Sequence, residues 1–177
     1  MTTGRGAVLG LITLLLLAGW GVTAMKEREA ARIRDYANLM TDTHARAIAI
    51  FNDLRAQSAA ADEALRSGNI DADEVDKTAK VMHEVARKTK EEMEKFALVV
   101  PPAGAEDLRE EAIRYLEVRA DIADLNGQLY EEIAKEIRGQ GSRDKSTEIA
   151  RKTHAKVKEN DALARRIREL KDGLVVP

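Results

Sequence analysis

The sequence predicts an all-α protein: an up-down-up-down four-helix bundle with an N-terminal hydrophobic segment and an overhanging first helix. Three observations carry this. Apolar residues recur at alternating spacings of three and four over long stretches, the period of a helix that buries one face. Glycine and proline, which helix interiors disfavour, gather where that period breaks. Aromatic residues are only 3% of the chain and charged residues 34%, a composition suited to helices with solvated outer faces and not to a β sandwich or barrel.

Arg5 is the only charged side chain before Lys26, and the twenty residues Gly6 to Met25 are uncharged. The apolar run Ala7 to Ala18 leads into Gly19-Trp20-Gly21 and Val22-Thr23-Ala24. A charged start, an apolar run and small residues at a Val-x-Ala site make a secretory signal peptide, cut after Ala24. If kept, residues 6–25 just reach across a bilayer of roughly 30 Å, with Trp20 in its interfacial belt. Residues 1–25 are therefore expected to be a signal peptide or signal anchor, and 26–177 a single bundle domain. The cations Lys26, Arg28, Arg32 and Arg34 pull against export by the positive-inside rule, but the order of regions favours it. The expected location is periplasmic after cleavage, or membrane-anchored facing the extracytoplasmic side without it.

Helix one is expected over about 26–67. Its stripe is Ile33, Ala37, Met40, His44, Ala47, Phe51, Leu54, Ser58, Ala61 and Leu65, a heptad-like seam that Gly68-Asn69 ends. Helix two, about 72–99, opens with Asp71 as cap, Glu74 three residues on, and an Ile70–Val75 hydrophobic staple. Its stripe runs from Val75 to Val100, and Pro101-Pro102 stops it because a residue before proline avoids the α region. Helix three, about 105–138, starts among Glu106, Asp107, Glu110 and Glu111, acids that suit the positive end of a helix dipole. Its central stripe is Leu108, Ala112, Tyr115, Arg119, Ile122, Asn126, Leu129, Ile133 and Ile137. Gly139-Gln-Gly-Ser142 turns the chain into helix four, about 143–172, with Ile149, Thr153, Asn160, Leu163, Ile167 and Leu174 inward. Short connections make neighbouring helices antiparallel.

Much chemistry is excluded. Without cysteine there is no disulfide scaffold, Cys-ligated metal or covalent c-type haem. A net charge of -2 argues against nucleic acid as a partner. No Glu-x-x-His, His-Glu-x-x-His, phosphate-binding glycine loop or Gly-x-Ser-x-Gly is present, so no catalytic constellation converges. Acidic residues pair with Lys or Arg at helical spacing, as in Glu91–Lys95 and Glu131–Lys135, and read as solvated faces.

Polar residues within the stripes remain. Antiparallel counting brings Arg119, Asn160 and Ser58 to within about one turn of a common level. A charge in an apolar stripe either snorkels to water or holds a partner, so these three form a candidate anion pocket with Arg119 as counter-charge. His44 is the candidate ligand for haem or metal; counting places it near Phe96 and the end of helix four, with Met93 as a possible trans partner. His83 is expected half-exposed and His154 exposed. A second seam on helix three, Leu116, Ala120, Ala123, Gly127, Tyr130 and Ala134, is either a broad core face or a contact for a homodimer or protein partner.

A membrane segment leading straight into a long helix resembles, in architecture, the extracytoplasmic four-helix sensor domains of bacterial chemoreceptors; no motif assigns the chain to that family. Such receptors also need a second span and a cytoplasmic output, so signalling by these residues would require a partner. The functional expectation is a non-enzymatic extracytoplasmic module for protein interaction or small-ligand sensing, without a resident cofactor. The alternatives are a haem- or metal-binding bundle and a structural coiled-coil assembly protein. Residues 6–25 would contact the membrane if uncleaved.

Overall fold

The computed structural model describes residues 25–50, Asn52, Glu63 and 71–174, and these residues are all-helical apart from the connections, with no strand. We number the helices α1 (residues 25–50), α2 (Ala72–Ala97), α3 (Glu106–Ile137) and α4 (Arg143–Leu174). The segment 1–24, the second half of the expected first helix with Ser58, and Ile70 of the staple lie outside the described residues. No described helix is long and apolar enough to cross a membrane.

Cross-helix contacts establish the up-down-up-down order. Arg138 at the end of α3 meets Asp73 and Asp76 at the start of α2. Lys156 of α4 meets Asp121 of α3, and Lys145 at the start of α4 meets Glu132 near the end of α3. Tyr36 of α1 packs on Phe96 at the end of α2, and Lys171 at the end of α4 reaches Thr41 of α1. The larger core cluster draws Tyr36 and Met40 from α1, Phe96 from α2, Leu108 and Leu116 from α3, and Leu163 from α4. A smaller cluster joins Val85 and Ala86 to Ala123. No side chain over residues 25–35 is fully buried and only Ala31 and Ile33 are half-buried, so the start of α1 lies at the margin of the bundle before Tyr36 docks.

Local chemistry explains the helix ends and corrects several expectations. Asp71 does cap α2, its Oδ1 accepting the Asp73 N–H at 2.9 Å. The reciprocal half of a capping box is not made, because the Glu74 carboxylate turns to Lys77 at 2.5 Å. The helix stops at Ala97, and Val100 is 85% exposed instead of inside. The Arg109 guanidinium of α3 donates to the Ala97 and Val99 carbonyls, occupying acceptors that a continuing helix would have used. At the end of α3, Gly139 takes φ +73°, its N–H meets the Glu136 carbonyl and the Gln140 N–H meets the Lys135 carbonyl, a Schellman closure. Gly141 has a different reason: a Cβ there would lie 2.4 Å from the Glu136 backbone nitrogen.

The buried face of α3 is the second seam and not the central stripe beyond Tyr115. Leu116, Ala120, Ala123 and Ala134 are at most 3% exposed, whereas Arg119, Ile122 and Asn126 are only half-buried and Ile137 is 40% exposed. A straight helix drifts about 20° per heptad from a 3.5-residue repeat, so one heptad line cannot face the core along this whole helix. Of the two readings of this seam, burial within the chain fits the broad core face: its small residues pack against the other helices. Gly127 is buried because the His83 ring of α2 lies over it; a Cβ would sit 2.7 Å from His83 Cε1.

The expected acid–base pairs are also redistributed. Glu91 meets Arg87, and Lys95 meets Glu92 at 2.6 Å. Glu131 meets His83 at 3.2 Å, and Lys135 meets Glu132 at 3.6 Å. Glu92 and Glu132 are buried acids, each tied to another helix: Glu92 to Arg46 of α1 at 2.8 Å, and Glu132 to Lys145 of α4 at 2.9 Å.

Candidate functional site

A cavity of about 380 Å³ lies between all four helices, near the end where α1 enters and α4 finishes. Its floor is apolar and buried: Phe96 from α2, with Ala112 and Leu116 from α3. Met40 of α1 and Ala164 and Ile167 of α4 form the side walls. The small residues make the space, since alanines at positions 112 and 164 stand where larger side chains would fill it. The mouth lies between α1 and α4, where Thr41 and Arg168 are exposed and Lys171 is half-buried. Lys171 Nζ donates to Thr41 Oγ1 at 2.9 Å across it.

His44 lines this cavity, beside Phe96 and the end of α4. Its ring packs against Tyr115 at 5.2 Å between centroids. Neither ring nitrogen has a hydrogen-bond partner among the described residues. Burial lowers its pKa from the ordinary 6.5, and the positive charges of Arg119 and Lys171 lower it further. A neutral imidazole then offers one N–H and one lone pair to whatever enters. Thr43, also in the lining, has no such freedom: its hydroxyl donates to the Leu39 carbonyl and accepts from Arg46, each at 2.9 Å.

Arg119 is not in the lining. Its guanidinium carbon sits 5.6 Å from the Tyr115 ring centroid, and Nη1 donates to the Tyr115 hydroxyl at 2.9 Å. It acts on the cavity from behind Tyr115, as a nearby charge that His44 feels. Asn160 does not line the cavity either; its Oδ1 is buried without a hydrogen-bond partner. Ser58 lies outside the described residues. Of the four candidate residues, the structure thus places His44 at the cavity and Arg119 one layer behind it.

Sequence reasoning missed Lys171 and Arg168, which stand at the mouth with no carboxylate in ion-pair range among the described residues. Both lie in the last turns of α4, where any cation is favourable near the negative end of the helix dipole, so neither stands out in the sequence. That explains their place along α4 but not the turn of Lys171 toward α1. No group of three His, Asp or Glu side chains converges to hold a metal among the described residues. Met40 lies one turn before His44 on the same helix, and Met93, the expected trans partner, is not in the lining. No protein-family model, curated protein or solved structure matches the chain.

Proposed function

We propose that the bundle is a non-enzymatic module that binds a small ligand in the cavity around His44. The cavity itself carries this reading: an apolar cleft lined by four helices and open on one side, with a few polar groups at its mouth, is how proteins hold small molecules. At about 380 Å³ it lies at the lower end of the roughly 300–1,000 Å³ of such sites. Among the described residues of the lining no nucleophile, base and orienting group are hydrogen-bonded to one another, and the reading is therefore one of binding. Export is part of the proposal. It rests on Arg5, the apolar run Ala7 to Ala18 and the Val22-Thr23-Ala24 site, and places the module on the extracytoplasmic side.

The test is occupancy. Native mass spectrometry of the full chain isolated from its own cells should show a small molecule bound. Ala164→Phe, which fills the cavity, should remove it. A chain without adduct, or an adduct that survives this substitution, refutes the reading. A C-terminal reporter active only outside the cytoplasm tests export separately.

A further inference from the structure

We propose that the ligand is a compact apolar monocarboxylate, held with its carboxylate between Lys171, Arg168 and His44 and its apolar part against Phe96, Ala112 and Leu116. The proposal rests on the binding function above and names the chemistry of its ligand. The first argument is charge. Elsewhere in the bundle most cations at helix contacts reach carboxylates, as Arg46, Arg114, Arg138, Lys145 and Lys156 do, and Arg109 is held by the Ala97 and Val99 carbonyls. Around this cavity Arg119, Arg168 and Lys171 have none among the described residues. Positive groups beside a low-dielectric wall attract an anion more strongly than they would in water.

The second argument is spare hydrogen-bonding capacity. Lys171 commits one N–H to Thr41 and Arg168 commits its Nε–H to the Ala164 carbonyl at 3.2 Å. Two ammonium hydrogens, the terminal guanidinium nitrogens and the His44 ring remain for an incoming group. These are donors at a cavity without an acceptor carboxylate, which suits an anionic head and not a cationic or neutral one. A neutral His44 is a donor that adds no further charge at the mouth. The third argument is size. A cavity of about 150 Å³ holds benzene, so about 380 Å³ takes a ring with a short chain or a chain of about eight carbons.

Carboxylate binding replaces the Thr41 hydroxyl as the acceptor for Lys171, so the Lys171–Thr41 bond is the contact that gives way on entry. Octanoate, 1-octanol and octylammonium share one tail and differ in head charge. Calorimetric titration of the full chain at pH 7.5 should find octanoate at least tenfold tighter than 1-octanol, with octylammonium weakest. Combining Arg168→Met with Lys171→Met should bring octanoate down to the affinity of 1-octanol and leave the alcohol unchanged. Equal binding of octanoate and 1-octanol by the unaltered chain, or tightest binding of octylammonium, overturns the carboxylate assignment while the binding function stands. Loss of all three probes, or unchanged binding by Ala164→Phe, overturns the binding function itself. The three-probe comparison uses the unaltered chain, so it decides the matter even if a variant fails to fold.

Discussion

Where α2 begins and α3 ends, charge is closed. Arg138 bridges Asp73 and Asp76, each at 2.7 Å, and the buried carboxylate of Glu132 takes Lys145 at 2.9 Å and the Ser142 N–H at 3.1 Å. Toward the other end, Arg119, Arg168 and Lys171 gather around His44 with no carboxylate to answer them among the described residues. Packing differs in the same sense. The closed end is so tight that Gly141 admits no Cβ, and the open end holds a cavity of about 380 Å³. Exposed ion pairs contribute only about 0–1 kcal/mol each, so pairing at one end is not where the fold gets its stability. The contrast instead separates an end built to stay shut from one that leaves both volume and charge unassigned.

The comparison can be broken at the tight end first. Gly141→Ala pushes a Cβ against the Glu136 nitrogen and the Glu132 carbonyl, backbone atoms that cannot step aside. The expected loss is about 3 kcal/mol, the upper part of the range for overpacking. Ala112→Val at the open end should cost far less, because it grows into space; equal losses in denaturant melts would erase the distinction. Next is Gly127→Ala. Alone it should destabilise by about 1 kcal/mol, because the His83 ring lies 2.7 Å from the new Cβ. In a His83→Ala background the sign should reverse, with about 1 kcal/mol gained from helix propensity. Additive effects in this double-mutant cycle would show that the ring is not what Gly127 accommodates.

Smaller again is Lys171→Met, which removes a cation that has no carboxylate partner. Stability should hold or rise by up to about 0.5 kcal/mol as like charges on α4 are relieved. Arg138→Met, by contrast, should lower the melting temperature slightly, because it removes two partly exposed ion pairs and leaves Asp73 and Asp76 to repel each other. A fall for both variants would mean that the open end is balanced after all.

The smallest effect is in the acid limb. An unfolded chain takes up a proton at His44 near pH 6.5, and the folded chain takes it up only at lower pH. Protons therefore favour the unfolded state, and the contribution of His44 is complete above pH 6.5 and declines as pH falls below it. Glu132, whose carboxyl is held below the usual range by Lys145 and then by the Ser142 N–H, follows the same sign from a lower start near pH 4.5. Melting temperature against pH should bend first near 6.5, and His44→Phe should remove that bend alone.

The bundle was legible because its signals are local. Asp71, Pro101 and the glycines of the α3–α4 turn mark boundaries within a few residues of sequence, and the apolar period spans many turns. Counting through the connections was enough to put His44 beside Phe96 and the end of α4. Arg119 was misplaced because a heptad line was extended along a straight helix, and rotation carried the buried face to Ala120 and Ala123. Glu92 and Glu132 were unreadable for another reason. In sequence they look like every other acid on an outer face; what buries them is a cation on a different helix, Arg46 or Lys145, and no spacing rule reports that. Lys171 does not stand out in the sequence, because a cation in the last turns of a helix is ordinary near the negative end of its dipole.

The unbroken course of α1 has a mechanical meaning. Thr41 stands at the mouth and Met25 is the first described residue of the same helix, about 24 Å away at 1.5 Å per residue. Among the described residues, no side chain over 25–35 is fully buried and only Ala31 and Ile33 are half-buried, so the helix is held there less firmly than at Tyr36, whose packing on Phe96 acts as the fulcrum. Parting α1 from α4 at Lys171 by even a small angle moves Met25 the other way: a tilt of about 5° carries it roughly 1.5 Å, about 16 Å from the fulcrum. A helix that stays rigid over this span would turn a change at the mouth into a sideways displacement at residue 25.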